Sequence, residues 1–167
     1  MRSRLLAVGF GAFILLAGLQ PAAADQKADM AAIKKLVETE MEGASTHDIE
    51  KTMSIYAPGN DIVLFDAAPP NYVGNDAVRA AFLKYFSGFP GKPEASMADL
   101  RIDVSGDLGY AHRVETWKMK RPDGTVFTTV QRVSNVYKRY GNKWLCVHEH
   151  ASVPLDYFQP TNPPKAQ

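Results

Sequence analysis

Cys146 is the single cysteine in 167 residues, so no disulfide can form within the chain. Charge of one sign is also missing. Lys and Arg number 19 against 18 Asp and Glu, and a balance this even leaves no basic footprint for nucleic acid or anionic lipid. No Gly-rich phosphate cradle, nucleophile elbow or Cys/His ribbon occurs, which removes the common nucleotide, acyl-transfer and structural-zinc signatures. Repeats and low-complexity linkers are absent. One domain with a substantial core is what this length and a 46% hydrophobic content allow.

The N-terminus is set apart from that domain. Arg2 and Arg4, the apolar stretch from Leu5 to Leu19 and Ala22-Ala23-Ala24 describe a secretory signal peptide over residues 1–24. Its apolar run is shorter than the roughly 20 residues that span a bilayer, so cleavage rather than stable anchoring is expected. Without Arg2 and Arg4 the basic count falls to 17 against 18 acidic residues. The expected location is the periplasm of a Gram-negative-like cell, or outside it. Cys146 then meets an oxidising compartment alone, and its mid-strand position beside Val147 suits a small buried hydrophobe better than a reactive thiol.

Met30, Ile33, Leu36, Val37 and Met41 recur at helical spacing, with Gly43 as the expected end of that first helix. Asp48 is the N-cap expected for a second helix from Ile49 to Tyr56, closed by Pro58-Gly59. Ile62 to Phe65 form a short apolar strand ending at Asp66, and Pro69-Pro70 place Ala67 to Asn71 in a loop. Asn75 is the expected cap of a third helix bearing Val78, Phe82 and Phe86. From Ala98 the period changes to two. Ala98, Leu100, Ile102 and Val104 alternate with polar residues, and turns at Ser105-Gly106-Asp107, Pro122-Asp123-Gly124 and Gly141-Asn142 divide four antiparallel strands, the last running from Lys143 to Val153. Three helices ahead of a meander predict an α+β fold over residues 25–158, followed by a proline-rich, disordered tail over 159–167.

The element order, with Asp61-Ile62-Val63-Leu64-Phe65-Asp66, Pro69-Pro70 and Gly74, then Trp144, His148-Glu149-His150 and Ser152-Val153-Pro154, resembles the SnoaL-like and ketosteroid-isomerase-like branch of the nuclear transport factor two-like superfamily. That resemblance implies a cone, with three N-terminal helices closing over a strongly curved antiparallel sheet around an internal cavity. It also implies a homodimer through the outer surface of the sheet. It names no reaction, because the same scaffold serves isomerases, dehydratases, cyclases, hydrolases and assembly domains.

Asp66 is the sharpest candidate for chemistry. Following four apolar residues at the mouth of the expected cone, it suits a general base, and its position resembles that of the general-base aspartate of ketosteroid isomerase. The alternative is a strand-end Asp that caps the next loop. The tyrosine that the resemblance would require on the first helix is missing, so steroid isomerisation does not carry over. In the last strand both alternating faces are mixed, and polarity alone cannot choose the inner one. By resemblance Val147, Glu149 and Ala151 look inward, which makes Glu149 a second interior carboxylate, paired most simply with Arg113 or a ligand cation. Either Ser134 or Asn135 joins them, since the register across Gly141-Asn142 is open by one residue.

His148 and His150 share a strand face, but His112 lies two ladder spacings away, about 9–10 Å. No metal site is therefore expected, and His112 is kept as a residue that orients a substrate. A Ser152-His150-Asp66 triad lacks a nucleophilic turn. Phe65, Tyr72, Asn135, Tyr137, Val147 and Ala151 are the expected ligand contacts, although Phe65, Tyr137 and Trp117 equally suit a core. Two functions stay open: binding of a small, partly apolar molecule without catalysis, and a cofactor-independent isomerase, lyase or hydrolase with Asp66 as base and Glu149, Asn135 or His112 orienting the substrate. A third treats the domain as a structural dimerisation module.

Overall fold

The computed structural model describes residues 23–66 and 71–154. The expected leader up to Ala22, most of the Pro69-Pro70 loop and the C-terminal tail lie outside the described residues. In chain order the elements are α1 (Ala23–Thr46), α2 (Ile49–Met53), β1 (Val63–Phe65), β2 (Tyr72–Val73), α3 (Asn75–Gly88), β3 (Glu94–Ser105), β4 (Leu108–Lys120), β5 (Val126–Tyr140) and β6 (Lys143–Ser152). One curved, unclosed sheet takes the order β2-β1-β6-β5-β4-β3, and the helices precede its long strands in a cone of α+β class. The four-stranded meander of the sequence is thus extended by two short strands, with β1 parallel to β6.

Helix α1 buries Ile33, Val37, Glu40 and Ala44, one residue every three or four, which is the stripe that a helix turns toward a sheet. Its N-terminal half is fixed by polar contacts at the far end of β5 and β6. Arg139 pairs with Asp29, the indole of Trp144 donates to Asp29 at 3.1 Å, and the Arg139 guanidinium stacks 4.4 Å over the Trp144 ring. Gly43 does not end α1. A side chain there would stand 2.6 Å from Thr52 N, so this glycine permits the close approach of α2, and the helix runs on to Thr46. What stops it is His47, a non-glycine residue at φ 56. Asp48 then caps α2, accepting from Lys51 N at 2.9 Å, as the sequence predicts. α2 is shorter than expected and ends at Met53. For α3 the cap position is Gly74 (φ 90) and not Asn75, whose side chain donates instead to Ala57 O at 3.0 Å.

Two bulges decide which side chains enter the cone. In β3 the register jumps between Ala98 and Arg101, with Asp99 at φ 55. Met97, Leu100 and Ile102 consequently pack on the core while Ala98 is exposed, against the simple alternation. In β6, Val136 pairs with His148 but Tyr137 pairs with Cys146, which leaves Val147 as the extra residue. A single added residue reverses the side-chain parity of a strand. Trp144 and Cys146 point inward before the bulge and Glu149 after it, so neither the even nor the odd set is the inner face throughout. Strand β4 has no such break: Ala111, Arg113, Glu115, Trp117 and Met119 are all buried.

Candidate functional site

The inner ends of α1, α3, β1 and β4 to β6 enclose a cavity of about 170 Å³. Its apolar wall comes from Met41, Ala44, Leu64, Ala81, Phe82, Trp117, Met119, Val133 and Ala151, and its polar lining from Glu40, Asp66, Tyr85, Arg113, Glu115, Thr129, Gln131 and Glu149. A cavity of about 150 Å³ accommodates benzene. This one therefore suits a single ring with a short substituent, far less than a steroid.

The floor is a closed hydrogen-bond network around one guanidinium. Arg113 is 2% exposed; its Nη2 donates to Glu40 at 2.9 Å, its Nε to Glu115, and its Nη1 to Asn135 Oδ1. Glu115 is further held by Trp117 Nε1 at 2.7 Å and Gln131 Nε2 at 3.0 Å. The amide of Asn135 passes the network on, donating from Nδ2 to Glu149 Oε2 at 2.8 Å. The hydroxyl of Tyr56 lies 2.7 Å from Glu40 Oε1 and 2.8 Å from Glu149 Oε2. Tyr56 itself is pinned by backbone bonds on either side, Cys146 N to Ile55 O at 2.8 Å and Ala57 N to Cys146 O at 2.9 Å.

Burial, and then the proximity of Glu40, hold the Glu149 carboxyl well above the ordinary carboxylate range, which favours its protonated form. Burial also pushes the Tyr56 and Cys146 hydroxyl and thiol well up, which makes that thiol inert. Burial works against the charge of Arg113, but its ion-pair partners Glu40 and Glu115 more than offset it and raise its pKa. At the mouth, Asp66 is exposed and lines the cavity with Ala81, Phe82 and Tyr85 of α3; burial, and then the charge of Asp66, raise the pKa of Tyr72.

Of the residues singled out from the sequence, Asp66, Glu149 and Ala151 line this cavity. Asn135 sits directly behind it, opposite Glu149, which closes the choice between Asn135 and Ser134. Arg113 reaches Glu149 through Asn135, whereas its direct pairs are Glu40 and Glu115. His112 points the other way: it is exposed and stacked on Tyr110 across the outer face, because β4 turns its odd residues inward. Phe65 is also outside, with its edge or face against His148 and His150 at 5.0 and 6.0 Å. Tyr72 packs on the core, Tyr137 is buried in it, and Val147 is spent on the bulge; none of the three lines the cavity. Nδ1 of His148 meets Val63 O at 3.0 Å, and among the described residues no group of His, Cys, Asp and Glu could hold a metal ion.

Sequence reasoning missed Glu40, Tyr56 and Glu115. Glu40 was findable, since it interrupts the apolar stripe of α1 three residues after Val37. Glu115 shares the parity of Trp117 and Met119. Tyr56 had no such mark, because its role comes from the bridge to Cys146.

The structure is similar to that of a nuclear transport factor two-like protein of unknown function from Pseudomonas putida, at 29% identity over 77% of this chain and 88% of that one, with a TM-score of 0.67. At 16% identity it is similar to a hexachlorocyclohexane dehydrochlorinase (79% and 89% covered, TM-score 0.72) and to a ketosteroid isomerase-like protein from Erwinia carotovora (75% and 95%, TM-score 0.65). No curated protein matches the chain. Residues 33–156, which include all of the cavity lining, match the SnoaL-like domain, and the chain belongs to that family within the nuclear transport factor two-like superfamily.

Proposed function

We propose that the domain binds a small, partly apolar molecule of about one ring in the cone and acts on it as a cofactor-independent lyase or isomerase. Asp66 is the base in this reading and Glu149 the group that meets the polar end of the guest. One observation carries it: an exposed carboxyl group at the mouth, Asp66, and a buried one on the floor, Glu149 beside Tyr56 and Asn135, line the same small, apolar-walled space. Burial favours the acid form of Glu149, and a buried carboxylic acid set across a small space from an exposed carboxyl group is an arrangement suited to acid-base chemistry. A site built only for binding would not need to bury three glutamates around one arginine, since each buried charge costs free energy that an apolar wall avoids. The similar fold of a protein named a hexachlorocyclohexane dehydrochlorinase supports this class.

The basic and apolar leader with its Ala-Ala-Ala end supports export to the periplasm, and the family resemblance supports a homodimer through the outer face of the sheet. Native mass spectrometry of protein recovered from the periplasm tests location, stoichiometry and guest together. With the guest in hand, Asp66→Asn is expected to abolish turnover, by at least the 10²-fold typical of a lost general base, and to leave guest affinity nearly unchanged. Turnover and affinity both equal to wild type would remove Asp66 from the mechanism.

A further inference from the structure

We infer that Glu40, Tyr56 and Glu149 share one stored proton, and that the floor offers this proton to a hydrogen-bond acceptor oxygen, a carbonyl or hydroxyl, on the bound molecule. The sharing concerns the ligand-free protein; the delivery rests on the proton-transfer reading above.

Counting hydrogens gives the first half. The Tyr56 hydroxyl lies within hydrogen-bond distance of two carboxyl oxygens, at 2.7 Å from Glu40 and 2.8 Å from Glu149, yet it carries a single hydrogen. With both carboxyls ionised, one contact would set lone pair against lone pair in a buried place. One carboxyl must therefore be an acid. Glu40 has Arg113 Nη2 at 2.9 Å to hold its negative charge, whereas no cation among the described residues lies within hydrogen-bond distance of Glu149, which receives the neutral Asn135 amide. The proton thus rests on Glu149, which donates to Tyr56, and Tyr56 donates to Glu40. The raised pKa of Glu149 agrees with this direction, and its main causes after burial are Glu40 and a hydrogen bond to it.

The arrangement gives up its proton without orphaning a group. As a guest oxygen takes the hydrogen of Glu149, the O–H bond at Glu149 breaks and one forms on the guest. The Tyr56 hydroxyl then turns its hydrogen from Glu40 to the new carboxylate, and Glu40 keeps Arg113. Asp66 removes a proton elsewhere on the guest, so the guest's proton count is unchanged. The protein is reset when Asp66 loses its proton to solvent and Glu149 regains one through the mouth. Glu40 and Glu149 both line the cavity while Tyr56 stands behind its wall, which makes Tyr56 a positioning residue. Since Glu40 and Glu115 already outnumber Arg113, the floor favours a neutral acceptor oxygen over a guest carboxylate.

Infrared spectroscopy of the ligand-free protein at pH 7 tests the sharing, because the carbonyl stretch of a carboxylic acid stands apart from carboxylate and amide bands. Wild type is expected to show one buried acid. Glu149→Gln removes it. Glu40→Gln shifts or removes it, because Tyr56 loses the carboxylate to which it donates. Tyr56→Phe keeps the band but moves it to higher frequency. No acid band in wild type, a band unchanged in Glu40→Gln, or a band unmoved in Tyr56→Phe each overturns the shared proton. If either glutamate variant fails to fold, the wild-type and Tyr56→Phe spectra still decide. No guest is needed, so a cavity that proves to bind nothing would sink the proposed function and leave this result standing.

Discussion

Replacing Glu149 with Gln should change how the stability of the domain depends on pH more than it changes stability itself. Glutamine keeps the shape, can still accept from Asn135, and removes only the ability to ionise. Burial and Glu40 raise the folded pKa of Glu149 above its reference value of 4.5, so the folded state holds a proton that the unfolded chain releases. The resulting stability is fully present below the unfolded pKa and is lost as pH rises through the folded one. Within that window wild type loses about 1.4 kcal/mol for each pH unit, or roughly 5 °C in Tm for a domain of this size. Glu149→Gln lacks this slope. His47, whose ring is pushed down by burial, contributes with the opposite sign, and is common to both proteins. The difference between the two curves therefore isolates Glu149. Thermal or urea unfolding from pH 5 to pH 8 is the assay. Parallel curves across that range would show that Glu149 ionises in the folded protein as it does in the unfolded chain, and the acid on the floor would be gone.

Arg113→Met leaves Glu40 and Glu115 buried without their cation and should destabilise by about 3–5 kcal/mol, with part recovered by adding Glu40→Gln, as a double-mutant cycle in urea would show. Gly43→Ala, which helix propensity alone would favour by about 1 kcal/mol, should instead destabilise by about 1–3 kcal/mol, because the new methyl meets Thr52 backbone at 2.6 Å; a raised Tm would refute that contact.

The helices, the turns and the long strands were legible because each depends on local chemistry: apolar spacing in α1, the Asp48 cap, the Gly-containing turns after β3, β4 and β5. The inner face of β6 was not, and the reason is physical. Val147 spends one residue without a partner, so the period-two pattern that a reader of sequence relies on changes phase in mid-strand. Asp99 does the same to β3, which is why Ala98 lies outside and Met97 inside. His112 was kept as a substrate-orienting residue without regard to parity; Trp117 and Met119 in the same strand already committed the odd positions to the interior. At the site, Asp66 followed from its place at a strand end, whereas Glu149 and Ala151 followed from the family resemblance. Glu40 and Tyr56 reach Glu149 from 109 and 93 residues away in sequence, and only the closure of the cone shows that they meet.

Val147 also divides labour along β6. Upstream of it, Trp144 and Cys146 weld the strand to the helices; downstream, Glu149 and Ala151 face the cavity. The kink lets those two tasks vary independently: the reactive half could be rewritten for another molecule while the anchoring half keeps its sequence. A scaffold segmented in this way can change clientele without renegotiating its own folding.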